Sequence, residues 1–152
     1  MKKFGFFFSV IIGILGAWIL FDILLKLSIN FSFNLSLVLS FTLSCLLAGF
    51  LTSLLLSKDA LPPDFILKRS AFVKSSNSSL DNRAGSGVFS AWFFLFFKIT
   101  YLFMVTSSGF GDDWILFIGL YVVFILISYF WAFLLGSIGG GYGVNVRDAL
   151  FD

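Results

Sequence analysis

Residues 93–103 read FFLFFKITYLF and place one lysine, Lys98, near the middle of a long apolar and aromatic stretch. With its apolar flanks the stretch approaches the ~20 residues that cross the hydrocarbon core of a bilayer as a helix. A charge at that depth is rare and almost always faces protein or a water-filled cavity. Lys98 therefore marks both a predicted membrane span and a candidate functional site inside it.

The composition of the whole chain indicates a membrane protein. Of the 152 residues, 59% are hydrophobic and 12% are charged, whereas a soluble domain carries roughly 25% charged residues. The chain contains neither His nor Glu, which removes imidazole bases and the usual ligands of zinc and copper. The single cysteine, Cys45, lies in an apolar run and is expected to act as a packing residue. We therefore expect no catalytic residue, no metal site and no cofactor.

Four apolar segments are long enough to span a bilayer, at residues 4–27, 33–56, 88–106 and 114–138. They should be helices, because the backbone finds no hydrogen-bonding partner in lipid and the chain lacks the alternating pattern of a barrel. The predicted fold is an all-α integral membrane protein, a single four-helix transmembrane domain over residues 1–152.

The predicted spans leave two further segments. The loop at 57–87 contains basic and apolar residues that fit a short helix lying in the membrane interface, or equally an irregular loop. The C-terminal tail at 139–152 begins with consecutive glycines, which are expected to stop the fourth helix.

The placement of Lys and Arg predicts the orientation of the chain. Eight of the ten basic residues fall on one side of the membrane if both termini are inside: Lys2, Lys3, Lys58, Lys68, Arg69, Lys74, Arg83 and Arg147. The other side receives Lys26 and the acidic turn Asp112-Asp113. Because basic residues collect on the cytoplasmic side, we predict an N-in/C-in multi-pass protein of a bacterial or organelle inner membrane.

Two spans carry long series of small residues at every fourth position, and the first span carries a shorter one, Ser9, Gly13 and Ala17. Such a stripe lets helix backbones approach closely in lipid, where packing and hydrogen bonds hold helices together. The alternative is a polar path along the hydroxyl groups for an ion or solute, but the apolar flanks favour packing. The stripes comprise Ser36, Ser40, Ser44, Ala48 and Thr52 in the second span, and Ser128, Ala132, Gly136 and Gly140 in the fourth.

The charges inside the spans allow three interpretations. Asp22 lies one turn before Lys26, and this spacing favours a local ion pair at the outer end of the first span. An Asp22–Lys98 pair joining the first and third spans is an alternative, although the span boundaries place the two residues at different depths. The third interpretation gives Asp22 or Lys98 a role in transport or ligand binding.

The third span has no small-residue stripe and is crowded with aromatic side chains. Exposure to lipid is the favoured interpretation, and a surface for a pigment, quinone or lipid tail is the alternative. Its aromatic residues are Trp92, Phe93, Phe94, Phe96, Phe97, Tyr101 and Phe103.

These patterns favour one class of function. Long packing stripes without a catalytic constellation predict a non-catalytic accessory, assembly or interaction subunit of a larger membrane protein complex. Its partners would be the lipid bilayer and other membrane subunits, with no nucleic acid. The alternative is a small oligomeric transporter or channel for an ion or small solute, with Asp22 as its intramembrane acid.

Overall fold

The computed structural model describes residues 2–27, 32–56, 82–107 and 111–151. These residues form four helices: α1 over Lys2–Leu27, α2 over Phe33–Leu55, α3 over Asn82–Thr106 and α4 over Trp114–Phe151. Each helix is long and apolar enough to cross a membrane. The prediction of an all-α chain with four helices able to span a membrane is therefore confirmed for the described residues. The predicted interfacial helix lies within residues 57–81, which are outside the described residues.

The helices pack as a bundle in which α2 and α3 lie at the centre. Helices α1 and α4 each pack against both of them. Helices α1 and α3 run in one direction, and α2 and α4 run in the other. We name the two ends of the bundle by residues: the proximal end holds Gly5, Leu55 and Gly85, and the distal end holds Leu27, Thr106 and Trp114.

The third helix begins at Asn82, six residues before the predicted start of its span at residue 88. The added turns contain Gly85, Ser86 and Gly87, which read as loop residues in the sequence because they are small and polar. Ser86 and Gly87 are buried, and the small size of Gly87 suits a crowded contact, because it lies against the backbones of Gly49 in α2 and Gly136 in α4. Residues 82–87 of the predicted loop therefore belong to α3.

The fourth helix does not end at residue 138, and the predicted C-terminal tail is wrong for residues 139–151. Helix α4 continues through its glycines to Phe151 as a single helix of 38 residues. At 1.5 Å per residue it is about 57 Å long, which exceeds a hydrocarbon core of about 30 Å. A helix of this length tilts or extends beyond the core at its ends.

Gly136, Gly139 and Gly143 lie on the packed face of α4, where close contact with neighbouring helices favours continuation of the helix. A methyl group at Gly139 would overlap the carbonyl oxygen of Leu46, and one on Gly49 would lie 2.6 Å from Gly136 O. Backbones at this distance exclude a Cβ, so the contact itself compensates for the low helix propensity of glycine. Past the glycines, Arg147 donates a hydrogen bond from Nη1 to Leu54 O at 2.7 Å. This contact joins the end of α4 to the last turn of α2.

Candidate functional site: an ion pair between α1 and α3

Lys98 faces protein. Its side chain is 4% exposed, and its ammonium donates a hydrogen bond to Asp22 Oδ1 at 2.8 Å, forming an ion pair between α3 and α1. The two partners differ in their surroundings, because the side chain of Asp22 remains 49% exposed. The pair is thus a buried cation held by a carboxylate that also reaches the surface of the bundle.

Aromatic rings surround the ammonium on its other sides. The Lys98 Nζ lies 4.1 Å from the centroid of the Trp18 ring and 4.7 Å from that of Phe21. The ring of Tyr101 is 5.7 Å away and makes an edge contact with Trp18. The negative faces of aromatic rings attract a cation, most strongly where water is excluded. The rings therefore replace part of the hydration that Lys98 loses in the bundle.

The favoured sequence interpretation, an Asp22–Lys26 pair, is wrong. Asp22 pairs across the bundle with Lys98, while Lys26 is exposed one turn further along α1. The depth argument failed because the start of α3 was placed too late, which shifted the apparent level of Lys98.

The register of α1 and α3 is fixed nearer the proximal end. A Cβ on Gly13 would lie 3.3 Å from Ser90 Oγ, so these two residues face each other. Asp22 follows Gly13 by nine residues and Lys98 follows Ser90 by eight. Because α1 and α3 are parallel and rise equally per residue, Asp22 and Lys98 reach the same level.

Hydrogen bonds made by buried hydroxyl groups fix this register of α1 and α3. Thr52 donates from Oγ1 to Ser90 Oγ at 2.7 Å, and Ser90 Oγ lies 3.1 Å from Ala48 O. Thr52 Oγ1 also lies 3.4 Å from Ser9 O in α1. These bonds connect α1, α2 and α3 at one level. Sequence analysis missed Ser90, although Ser86 and Ser90 are four residues apart and form a short stripe once the earlier start of α3 is known.

The predicted stripe residues are all buried. Those of α2 comprise Ser36, Ser40, Ser44, Ala48 and Thr52, and those of α4 comprise Ser128, Ala132, Gly136 and Gly140. Thr52 and Ala48 contact α1 and α3, as the bonds above show. Gly136 and Gly140 lie against Gly49 of α2.

The aromatic third span is not exposed on all sides. Helix α3 contacts all three other helices, and the ring of Phe94 is fully buried between Phe21 and Phe41. Phe97 and Tyr101 remain exposed. Exposure to lipid therefore holds for one face of α3 only, and the other faces are the core of the bundle.

The ion pair joins two helices of the bundle. The Lys98 ammonium is held by Asp22 and covered by the rings of Trp18 and Phe21. Among the described residues, no three His, Cys, Asp or Glu side chains come together to hold a metal ion. The half-exposed carboxylate of Asp22 is the group that another molecule can reach.

Comparisons with known proteins give no relative: no protein family, curated protein or solved structure matches this chain. What the molecule does is therefore inferred from its own geometry.

Proposed function

We propose that this chain is a non-catalytic accessory or assembly subunit of a larger membrane protein complex, inserted N-in/C-in in a bacterial or organelle inner membrane. The observation that carries the proposal is the distal half of α4. Its side chains at residues 122–124, 126, 127, 129 and 130 are exposed, and its ring contacts with α3 lie along one edge, at Phe117, Tyr121 and Phe124. Tyr121 and Phe103 mark that edge, with ring centroids 5.4 Å apart.

A helix held along one edge presents most of its circumference to its surroundings. In this chain that surface is apolar and aromatic over more than three turns. It suits the side of another transmembrane helix, because shape complementarity and dispersion drive association in lipid. The glycine contacts occupy the side of α4 that faces the bundle, so a partner would dock on its other side.

The interior supports this function over solute passage within one copy. Gly13 contacts Thr52 and Gly139 contacts Leu46 so closely that neither site admits a methyl group. The hydroxyls of Thr52 and Ser90 are bonded to each other rather than lining an open path.

Purification of the tagged full-length chain from its own membrane in mild detergent tests the proposal. We expect another membrane protein at fixed stoichiometry, lost with Val123→Trp on the exposed face of α4. The matched control is Val105→Trp, at an exposed position of α3, which should retain the partner. Recovery of the chain without another protein, or equal behaviour of the two variants, would contradict the proposal.

The second candidate is a small oligomeric transporter whose path lies between copies. The half-exposed carboxylate of Asp22 favours it, because an intramembrane acid that reaches the bundle surface can bind a cation or proton. In proteoliposomes this function requires solute or proton flux that Asp22→Asn abolishes and that Asp113→Asn, at an exposed position just before α4, preserves.

A further inference from the structure

The exposed face of α1 carries a heptad pattern. Residues at alternating steps of four and three form one stripe along the helix: Phe8, Ile12, Leu15, Ile19, Asp22 and Lys26. Phe8, Leu15 and Ile19 are each more than half exposed. Alternating spacing of this kind is the seam along which two helices pack with knobs in holes. The residues that face α2 and α3, such as Gly13 and Ala17, lie on the other side of α1.

The stripe ends in two opposite charges. Asp22 lies five residues before the end of α1, which is about 7 Å of helix rise. Its carboxylate accepts from Lys98 but remains half exposed on the stripe. A partly exposed carboxylate within the span needs a further polar partner, because lipid tails supply none.

In a second copy of this chain, Lys26 can supply this polar partner at the level of Asp22. Lys26 is exposed one turn beyond Asp22. Helical side chains lean toward the helix N-terminus, so the ammonium of Lys26 reaches back toward the level of Asp22. Copies inserted in the same orientation have parallel α1 helices, and two-fold symmetry repeats every contact. Identical residues lie opposite each other at such a seam, so the two Asp22 carboxylates and the two Lys26 ammonium groups form one cluster, in which each Lys26 can reach back to the Asp22 of the other copy.

We propose that this stripe, which we call the α1 seam, is the interface of a parallel homodimer with reciprocal Asp22–Lys26 ion pairs between copies. Each Asp22 is held by the Lys98 of its own copy and the Lys26 of the other. Neutralisation by Lys98 lowers the repulsion between the two carboxylates across the seam. The inference goes beyond the proposed function, since the α1 seam and the exposed half of α4 are separate surfaces.

Cysteine cross-linking of the full-length chain in native membranes tests the proposal. The background is Cys45→Ser, which removes the single, buried thiol. Ile19→Cys on the seam should give a cross-linked dimer upon mild oxidation. Val123→Cys, exposed to a similar degree on α4, should not. No dimer at Ile19→Cys, or equal cross-linking at both positions, would overturn the proposal.

Variants of Lys26 test the ion pairs separately. In the Ile19→Cys background, Lys26→Ala should lower the cross-linked fraction severalfold, and Lys26→Arg should restore it. Lys26 is the cleaner residue to change, because Asp22 also holds Lys98 within its own copy. Unchanged cross-linking with Lys26→Ala would show that the charges do not form the interface.

Discussion

Lys98 of α3 and Asp22 of α1 lie at the same level of the bundle, with 2.8 Å between ammonium and carboxylate. That level is fixed by the contact of Gly13 with Thr52 and Ser90, nearer the proximal end. The ion pair thus depends on a glycine and two hydroxyls about two turns away. A buried pair of this kind adds specificity to helix packing when the register brings its members together.

Removing one member of the ion pair should destabilise the bundle. Asp22→Asn leaves the ammonium of Lys98 buried without a counter-charge, and we expect a loss of about 3 kcal/mol in unfolding free energy. Lys98→Met should cost less, since the half-exposed Asp22 keeps part of its hydration. Equilibrium unfolding in mixed micelles measures both.

The double variant Asp22→Asn with Lys98→Met is the matched control for this prediction. Because it leaves no unpaired charge, it should recover most of the stability lost in Asp22→Asn. If the two single effects instead add, the residues act independently and the structural ion pair is contradicted.

Two glycines in α4, two residues apart, should respond oppositely to alanine. Gly139→Ala places a methyl group on the backbone of Leu46 and should destabilise the bundle by separating α4 from α2. Gly141→Ala meets nothing within 4 Å. It should stabilise the helix by about 0.5–1 kcal/mol, because alanine has the higher helix propensity. Thermal unfolding in detergent measures both, and a loss of stability in both variants would argue against a continuous α4.

The hydroxyl group of Thr52, which links α1, α2 and α3, should make a modest contribution to the stability of the bundle. Thr52→Val keeps the shape of the side chain and removes the bond to Ser90. We expect a loss of about 1 kcal/mol, the scale of interhelical hydrogen bonds in membranes. Thr42→Val is the control, since the Thr42 hydroxyl bonds to Val38 O within its own helix. Equal effects of the two substitutions would contradict the interhelical role of Thr52.

The contact between the ends of α4 and α2 should control local opening. Arg147→Ala removes the donor to Leu54 O, one of the last carbonyls of α2 without a helical partner. Faster amide exchange is therefore expected in the last turns of both helices, with little change in the middle of the bundle. Asn145→Ala, at an exposed neighbouring position, provides the control. Matching exchange patterns in the two variants would show that Arg147 does not hold the helix ends.

The sequence predicts the four spans well because hydrophobicity over ~20 residues is a local property. It predicts the helix ends poorly. Gly87 and Gly139 read as loop or helix-stop residues, and each lies inside a helix against a neighbouring backbone. A glycine stops an isolated helix but favours one that touches another backbone, and the chain near the glycine does not say which applies.

By itself the sequence determined that this is a helical chain with four segments able to span a membrane, and it predicted that Lys98 faces a polar group rather than open acyl chains. Both follow from the cost of placing charge and unpaired backbone in hydrocarbon. Only the tertiary structure decided that Asp22 pairs with Lys98 of α3 rather than with Lys26 of its own helix. The spacing of charges in the sequence shows which residues are neighbours within one helix. The observed ion pair forms between two helices, whose register is set by contacts of Gly13, Thr52 and Ser90.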